Sequence, residues 1–228
     1  IWYDQSGNGV HVLSSSATAK IITAGSILTM SGQPTIYFYG SSSFMTSSNS
    51  VNYSSQQWAT VNAVAQNVSS TDSNSGIISV GGPEVIAGFS WGLNFDGGNW
   101  LSGYWVDGSG ITGALSSVNS TDPKVVTALI QQDAFSSIYV NSTLKGTKAT
   151  NDHRFDPTDV VFVGARGTYT GRYFIGNISE TMIFPKQLST GEQTALESSQ
   201  SNFLPPSPGV SITSSATGAV CTGSSVTF

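Results

Sequence analysis

Hydrophobic and polar residues alternate with a period of two along most of this chain, the pattern of strands with one buried and one solvated face. In VIAGFSWGLNFDG (85–97), Val85, Ala87, Phe89, Trp91, Leu93 and Phe95 share one face. Ile86, Gly88, Ser90, Gly92, Asn94 and Asp96 share the other. The spacing predicts a long strand that a Gly-Gly turn folds into a hairpin with NWLSGYWVDG. KVVTALIQQDAFSSIYVNSTLKG predicts a second hairpin, with strands over 125–130 and 135–140 and a turn at 131–134. An Asn141-Ser142-Thr143 turn then leads back to Leu144, and DVVFVGA and YFIGNISETMIF read as two further strands.

The period changes once. After Pro185 comes LSTGEQTALESSQSNFL, where Ser189 and Glu192 stand three apart as a capping box at a helix start. Ala195, Leu196, Ser199 and Phe203 recur at helical spacing, so this side is expected to pack on the sheets. PPSPGV at 205–210 reads as a linker, because closely spaced prolines favour extended chain. VSITSSATGAVCTGSSVTF then alternates through about two strands, too few to bury a core. The pattern predicts one β-domain over 1–204, a linker over 205–210 and the first strands of a second β-domain over 211–228. IWYDQSGNG opens inside an apolar stretch, so the first domain is expected to continue upstream of Ile1.

Composition narrows the setting. The 228 residues can bury a sizeable core, yet only 9% are charged, and Ser, Thr, Asn and Gln must carry the solubility. Eight basic residues against 13 acidic ones give a net charge of −5, which argues against nucleic acid or an anionic membrane as partner. No apolar run approaches the roughly 20 residues of a membrane-spanning helix, so direct membrane insertion is not expected. Cys221 is the only cysteine, and no disulfide forms within the chain. Low charge with Ser/Thr richness reads as an extracellular, cell-surface protein.

Several motifs invite chemistry. Gly108, Gly110 and Gly113 match a dinucleotide fingerprint in spacing, but no strand-helix-strand unit surrounds them. His11 and His153 lie in polar contexts without a nucleophile elbow, and zinc would need more His or Cys. Glycoside hydrolysis needs two carboxylates across a cleft, and Asp96 and Asp107 are the best pair available, with turn acids as the plainer reading. Sugar binding has broader support, since pyranose faces stack on aromatic rings while polar side chains hold the hydroxyls. Trp100, Tyr104 and Trp105 accompany Asn94, Asp96, Asn99 and Asp107 in one hairpin, and Arg166, Tyr169, Arg172 and Tyr173 crowd another loop. DQSGNG matches the opening of a calcium loop, though Ser15 stands at the twelfth position where an acid is needed. Either a distant acid such as Glu180 completes a calcium site with Asp4 and Asn8, or the segment is an Asx turn. The sequons at Asn52, Asn67, Asn119, Asn141 and Asn177 arise readily in such a composition and decide nothing.

WYDQSGNG followed by QPTIYFYGSSSFM resembles the opening of bacterial LamG-like, concanavalin A-type jelly-roll domains. The hairpin VVTALIQQDAFSSIYVNSTLKGT is similar to that family's central hairpin, with Asn-Ser where Asn-Gly is common. VFVGARG and YFIGNISETMIFPKQLSTGEQTALESSQSNFL resemble its closing strand and helix. The resemblance covers about residues 1–204 and implies an all-β, two-sheet antiparallel jelly-roll sandwich with one short helix. The tail resembles the first strands of Ig-like repeats in very large Bacteroidota surface proteins, which implies a partial Ig-like domain. Together they imply a binding module of a secreted adhesin. Its partners would be carbohydrate or surface polymers, or else secretion (type IX) or gliding machinery. The resemblance also implies that Asp4, Asn8 and Glu180 hold one structural calcium ion in some relatives' manner. An arabinofuranosidase family that shares the jelly roll and a YDQSG segment makes a glycoside hydrolase the alternative, and a spacer or secretion-cargo domain is the third.

Overall fold

The structure, a computed structural model, describes residues 1–14, 19–23, 25–40, 43–69, 75–81, 90–102, 105–106, 110–111, 114–116, 121–149, 155, 159–167 and 172–204. The linker expected at 205–210 and the first strands of a second β-domain expected at 211–228 lie outside the described residues, as do the first residues of the strand expected from Val85.

Among the described residues, thirteen strands build two facing sheets. In chain order they are β1 (Val12–Ser14), β2 (Ile36–Tyr39), β3 (Met45–Ser47), β4 (Trp58–Asn67), β5 (Ser75–Gly81), β6 (Ser90–Asp96) and β7 (Asn99–Ser102). They continue as β8 (Ala114–Leu115), β9 (Lys124–Gln131), β10 (Ser136–Val140), β11 (Thr143–Lys148), β12 (Val161–Val163) and β13 (Ile175–Phe184). One sheet has the order β1-β3-β12-β5-β6-β7-β8 and the other β11-β10-β9-β4-β13-β2. Every pairing between these strands is antiparallel, so the chain is an all-β, two-sheet sandwich.

The core between the sheets matches small residues with large ones. Ala59, Val61, Ala63 and Ala65 of β4 and Val126, Ala128 and Ile130 of β9 present one inner face. Trp91, Leu93 and Phe95 of β6 and Trp100 of β7 join the same buried cluster from the other sheet. Alanines on one side leave the depth that indole and phenyl rings fill on the other, which keeps the interior near crystalline packing density. Each buried ring or branched side chain contributes about 1.5–3 kcal/mol relative to exposure.

Both predicted hairpins form. Gly97-Gly98 joins β6 to β7, and β9 extends one residue further at each end than its pattern predicted, from Lys124 to Gln131. At the β10–β11 turn, Asn141 (φ 48°) and Ser142 (φ 63°) both adopt left-handed backbone angles, the mirror-image turn that matches strand twist.

The helix α1 (Thr190–Ser199) starts as its sequence predicts. The Ser189 side chain accepts the Glu192 amide at 3.3 Å, and the Ser189 amide donates to Glu192 Oε2 at 2.8 Å. Its buried face, however, differs from the expected one. Ala195 and Ser199 are exposed and Leu196 is half-buried, whereas Gln193, Glu197 and the following Gln200 are buried. The reason lies in the sheet. The outward face of β4 and β9 carries the buried polar residues Asn62 and Thr127, so the helix meets it with amides and a carboxylate. Asn62 Nδ2 donates to Thr127 Oγ1 at 3.0 Å, and that hydroxyl donates to Glu197 Oε1 at 2.6 Å. Gln193 Nε2 donates to Glu197 Oε1, and Gln200 Nε2 donates to both Asn62 Oδ1 and Glu180 Oε2. Phe203 then packs beside Met30, Val64 and Val125, as the spacing predicted. No helix among the described residues is long and apolar enough to cross a membrane.

Candidate functional site

Two of the residues expected on the aromatic hairpin's binding face, Asn94 and Trp100, are buried. Trp100 has no exposure, because its alternation partner is Phe95, and the two rings meet edge-on at 5.1 Å between the sheets. Asn94 pairs with Leu101 in the β6–β7 ladder and is buried too. Asp96 is half-buried at the hairpin tip, where Asn99 Nδ2 donates to its backbone carbonyl at 3.4 Å, the geometry of a turn acid. Trp105 lies on a two-residue ribbon, Trp105–Val106 with Gly110–Ile111, and its side chain lies outside the described residues, as do Tyr104, Asp107 and Tyr169. Arg166 is buried and Arg172 half-buried, and the Arg166 amide donates to the Arg172 carbonyl at 3.1 Å. Burial removes Asn94, Trp100 and Arg166 from any open binding surface.

A different set of residues converges at the rim. A cleft of about 500 Å³ opens between the two sheets beside the N-terminal loop. Its floor is apolar, formed by inward residues such as Val12, Ile78, Val163 and Ile183. Trp2, Tyr3 and Tyr53 line it with Asp4, Gln5 and Asn8, and Glu180 borders it from β13 with its Oε2 bonded to the Gln200 amide on the helix side. Tyr3 is 63% exposed and leans edge-on against His11 at 5.4 Å, while Tyr53 meets Trp91 edge-on at 5.1 Å. The structure thus brings Asp4, Asn8 and Glu180 to one cleft, together with three rings that the alternation pattern did not single out.

Local chemistry shapes the loop. Trp2 and Val12 exchange both backbone hydrogen bonds, at 2.9 and 3.0 Å, which closes residues 3–11 into a compact turn. Gly7 (φ 85°) and Gly9 (φ 71°) supply the left-handed angles that let the chain reverse. Inside it, Asp4 Oδ1 accepts the Ser6 amide at 2.8 Å, and Oδ2 accepts the Ser6 hydroxyl at 2.9 Å and the Val10 amide at 3.1 Å. The Asp4 amide donates to His11 Nδ1 at 3.0 Å. The hydrogen bond from the Ser6 side chain, and then those from backbone amides, lower the Asp4 carboxyl to about 2. Tyr53 is pushed upward, first by burial and then by the negative charge of Asp4.

As folded, the loop does not fit a calcium ion. Calcium takes six to eight oxygen ligands. Asp4 already spends both oxygens on N–H and O–H donors, and Ser6 Oγ accepts both the Asn8 amide and Asn8 Nδ2. Glu180 Oε2 takes the Gln200 amide from the helix side. No group of three or more His, Cys, Asp or Glu that could hold a metal exists among the described residues. The arrangement is an Asx turn, the plainer of the two readings.

No protein-family model matches the chain, and neither does any curated protein. Solved structures do resemble it. The binding domain of Paraclostridial Mosquitocidal Protein 1 aligns with a TM-score of 0.59 at 18% identity, over 87% of this chain and 49% of that one. The botulinum neurotoxin serotype D ligand-binding domain, in complex with N-acetylneuraminic acid, aligns at 0.60 and 15% identity, over 87% and 48%. Trypanosoma rangeli sialidase in complex with sialic acid aligns at 0.60 and 12% identity, over 86% and 30%. The chain spans about half the length of the two toxin domains and under a third of the sialidase. At these identities the likeness establishes the fold alone: a two-sheet, jelly-roll-type β-sandwich, in this chain as in those binding domains.

Proposed function

We propose that the chain is a non-catalytic carbohydrate-binding module of a secreted surface protein, with the rim cleft as its site. The observation that carries this reading is one cleft of about 500 Å³ lined by the aromatic residues Trp2, Tyr3 and Tyr53 together with the polar residues Asp4, Gln5 and Asn8. That volume suits a small ligand, and ring faces with a few polar groups match the apolar faces and hydroxyl rims of sugars. The printed ligands of two structures with similar folds, N-acetylneuraminic acid and sialic acid, support the ligand class. Repetition along a longer adhesin would raise weak single-site affinity by avidity. The loop drives the Asp4 carboxyl to about 2, so Asp4 does not serve as the general acid of a glycoside hydrolysis.

The free edge of β13 favours a second reading. β2 covers Ile175–Ile178, while among the described residues Glu180–Phe184 pair only with β4. An extended segment adding to that edge would fill the cleft and make the domain a spacer.

The test is a glycan array with the 228-residue chain, its Tyr3→Ala variant and its Trp100→Phe variant, with hydrolysis of p-nitrophenyl glycosides, the arabinofuranoside included, measured in parallel. Glycan signal lost in Tyr3→Ala and kept in Trp100→Phe is the expected result. Turnover of a glycoside would overturn the non-catalytic reading. Silence on every glycan from folded protein would overturn sugar binding and leave the strand-addition reading.

A further inference from the structure

We infer that the rim cleft selects uncharged and amine-bearing glycans and rejects those carrying carboxylate or sulfate; this rests on the cleft being a sugar site. Among its described lining residues there is no Lys, Arg or His, and the charged ones are Asp4 and Glu180. A sugar carboxylate is held by an arginine fork or by a cluster of backbone N–H groups. The cluster exists here, but its seat is taken. The amides of Ser6 and Val10 and the Ser6 hydroxyl all point at the Asp4 carboxylate, so an anion on the loop is already supplied by the chain itself. A second anion would find these donors spent and a fixed negative charge beside it.

The charge is permanent over the working range, since the same hydrogen bonds hold the Asp4 carboxyl at about 2. Its field reaches across the cleft to the Tyr53 phenol, which it helps push upward. What the cleft presents to a ligand is therefore a negative charge at Asp4, side chains of Gln5 and Asn8 that both accept and donate, and no cation among the described lining residues. Sugar hydroxyls satisfy such groups as donors. A protonated sugar amine satisfies them with charge assistance, the stronger bond. The net charge of −5 acts in the same direction at long range. The expected preference thus excludes the acidic sugar bound in two structures of similar fold.

The test is calorimetric titration of the 228-residue chain with four probes at about pH 6, where an aliphatic amine is protonated. The probes are glucosamine trimer, its N-acetylated counterpart, lactose and sialyllactose. The expected order puts glucosamine trimer several-fold tighter than the N-acetylated trimer at low salt. That preference should shrink at about 0.5 M salt, where screening shortens the reach of charge. Sialyllactose should bind at least about tenfold more weakly than lactose, a difference of ~1.4 kcal/mol. Sialyllactose binding as tightly as lactose, or an N-acetylated trimer preferred over the amine, overturns the inference and leaves sugar binding standing. No heat with any probe overturns both.

Discussion

Replacing Asp4 with Asn tests whether the N-terminal loop is built around a hydrogen-bonded negative charge. The carboxyl sits at about 2, below its ordinary 3.8, because Ser6 and two backbone amides hydrogen-bond the ionised form. The folded value lies below the unfolded one, so the unfolded chain binds more protons between them and the loop's contribution grows with pH. The stabilisation is complete above roughly pH 5 and is lost as pH falls through about 2. A shift from 3.8 to about 2 corresponds to an upper bound of ~2.4 kcal/mol. The loop faces solvent, and screening reduces that to about 1 kcal/mol. In a domain of this size, about 1 kcal/mol moves the melting temperature by roughly 2–4 °C. Thermal unfolding of wild type and Asp4→Asn at about pH 7, 5, 3.5 and 2.5 should show the gap at neutral pH and its closure at the acid end. Glu192, also lowered to about 2 through its hydrogen bond to Lys186, titrates in both proteins and cancels in the difference. A gap as wide at pH 2.5 as at pH 7 would refute the hydrogen-bonded carboxylate.

Three further outcomes are expected. Ser142→Gly removes a side chain from a left-handed backbone angle (φ 63°) and should raise stability by about 1 kcal/mol in urea unfolding; a lowered midpoint would mean that the turn differs. Thr127→Val keeps the shape but deletes the hydroxyl between Asn62 and Glu197, leaving buried polar groups unmet, and should cost about 1–3 kcal/mol; an unchanged melting temperature would mean the helix does not dock through this network. Adding calcium or a chelator should leave the melting temperature unchanged, whereas a rise of several degrees with calcium would mean that the loop rearranges into a metal cage.

The sandwich was legible because period-two alternation dominates the chain, and the β9–β10 hairpin, the Asn141-Ser142 turn and the Ser189–Glu192 cap each carry a local signal. What alternation leaves open is which face lies inward. Trp91, Phe95 and Trp100 share a face, and only the opposing alanines of β4 and β9 reveal that this face is the core. The helix misled for a related reason. Its own sequence offers Ala195 and Leu196 as the apolar side, but the surface that it covers displays Asn62 and Thr127, residues distant in sequence. The cleft depends on separations that no local pattern encodes: Trp2 pairs with Val12, Tyr53 arrives from another loop, and Glu180 comes from the closing strand. The signal that was present is the Trp2-Tyr3 pair set directly before a polar turn, where a strand end exposes its rings at a sheet rim.

The most direct test of the account is to titrate isotope-labelled protein with the tightest-binding glycan and map amide shifts by heteronuclear NMR. The rim-cleft account predicts shifts concentrated at Trp2–Val10, at Tyr53 and along Ser179–Phe184. Shifts concentrated instead in the β6–β7 hairpin around Asn94–Trp100, with the N-terminal loop unmoved, would contradict it.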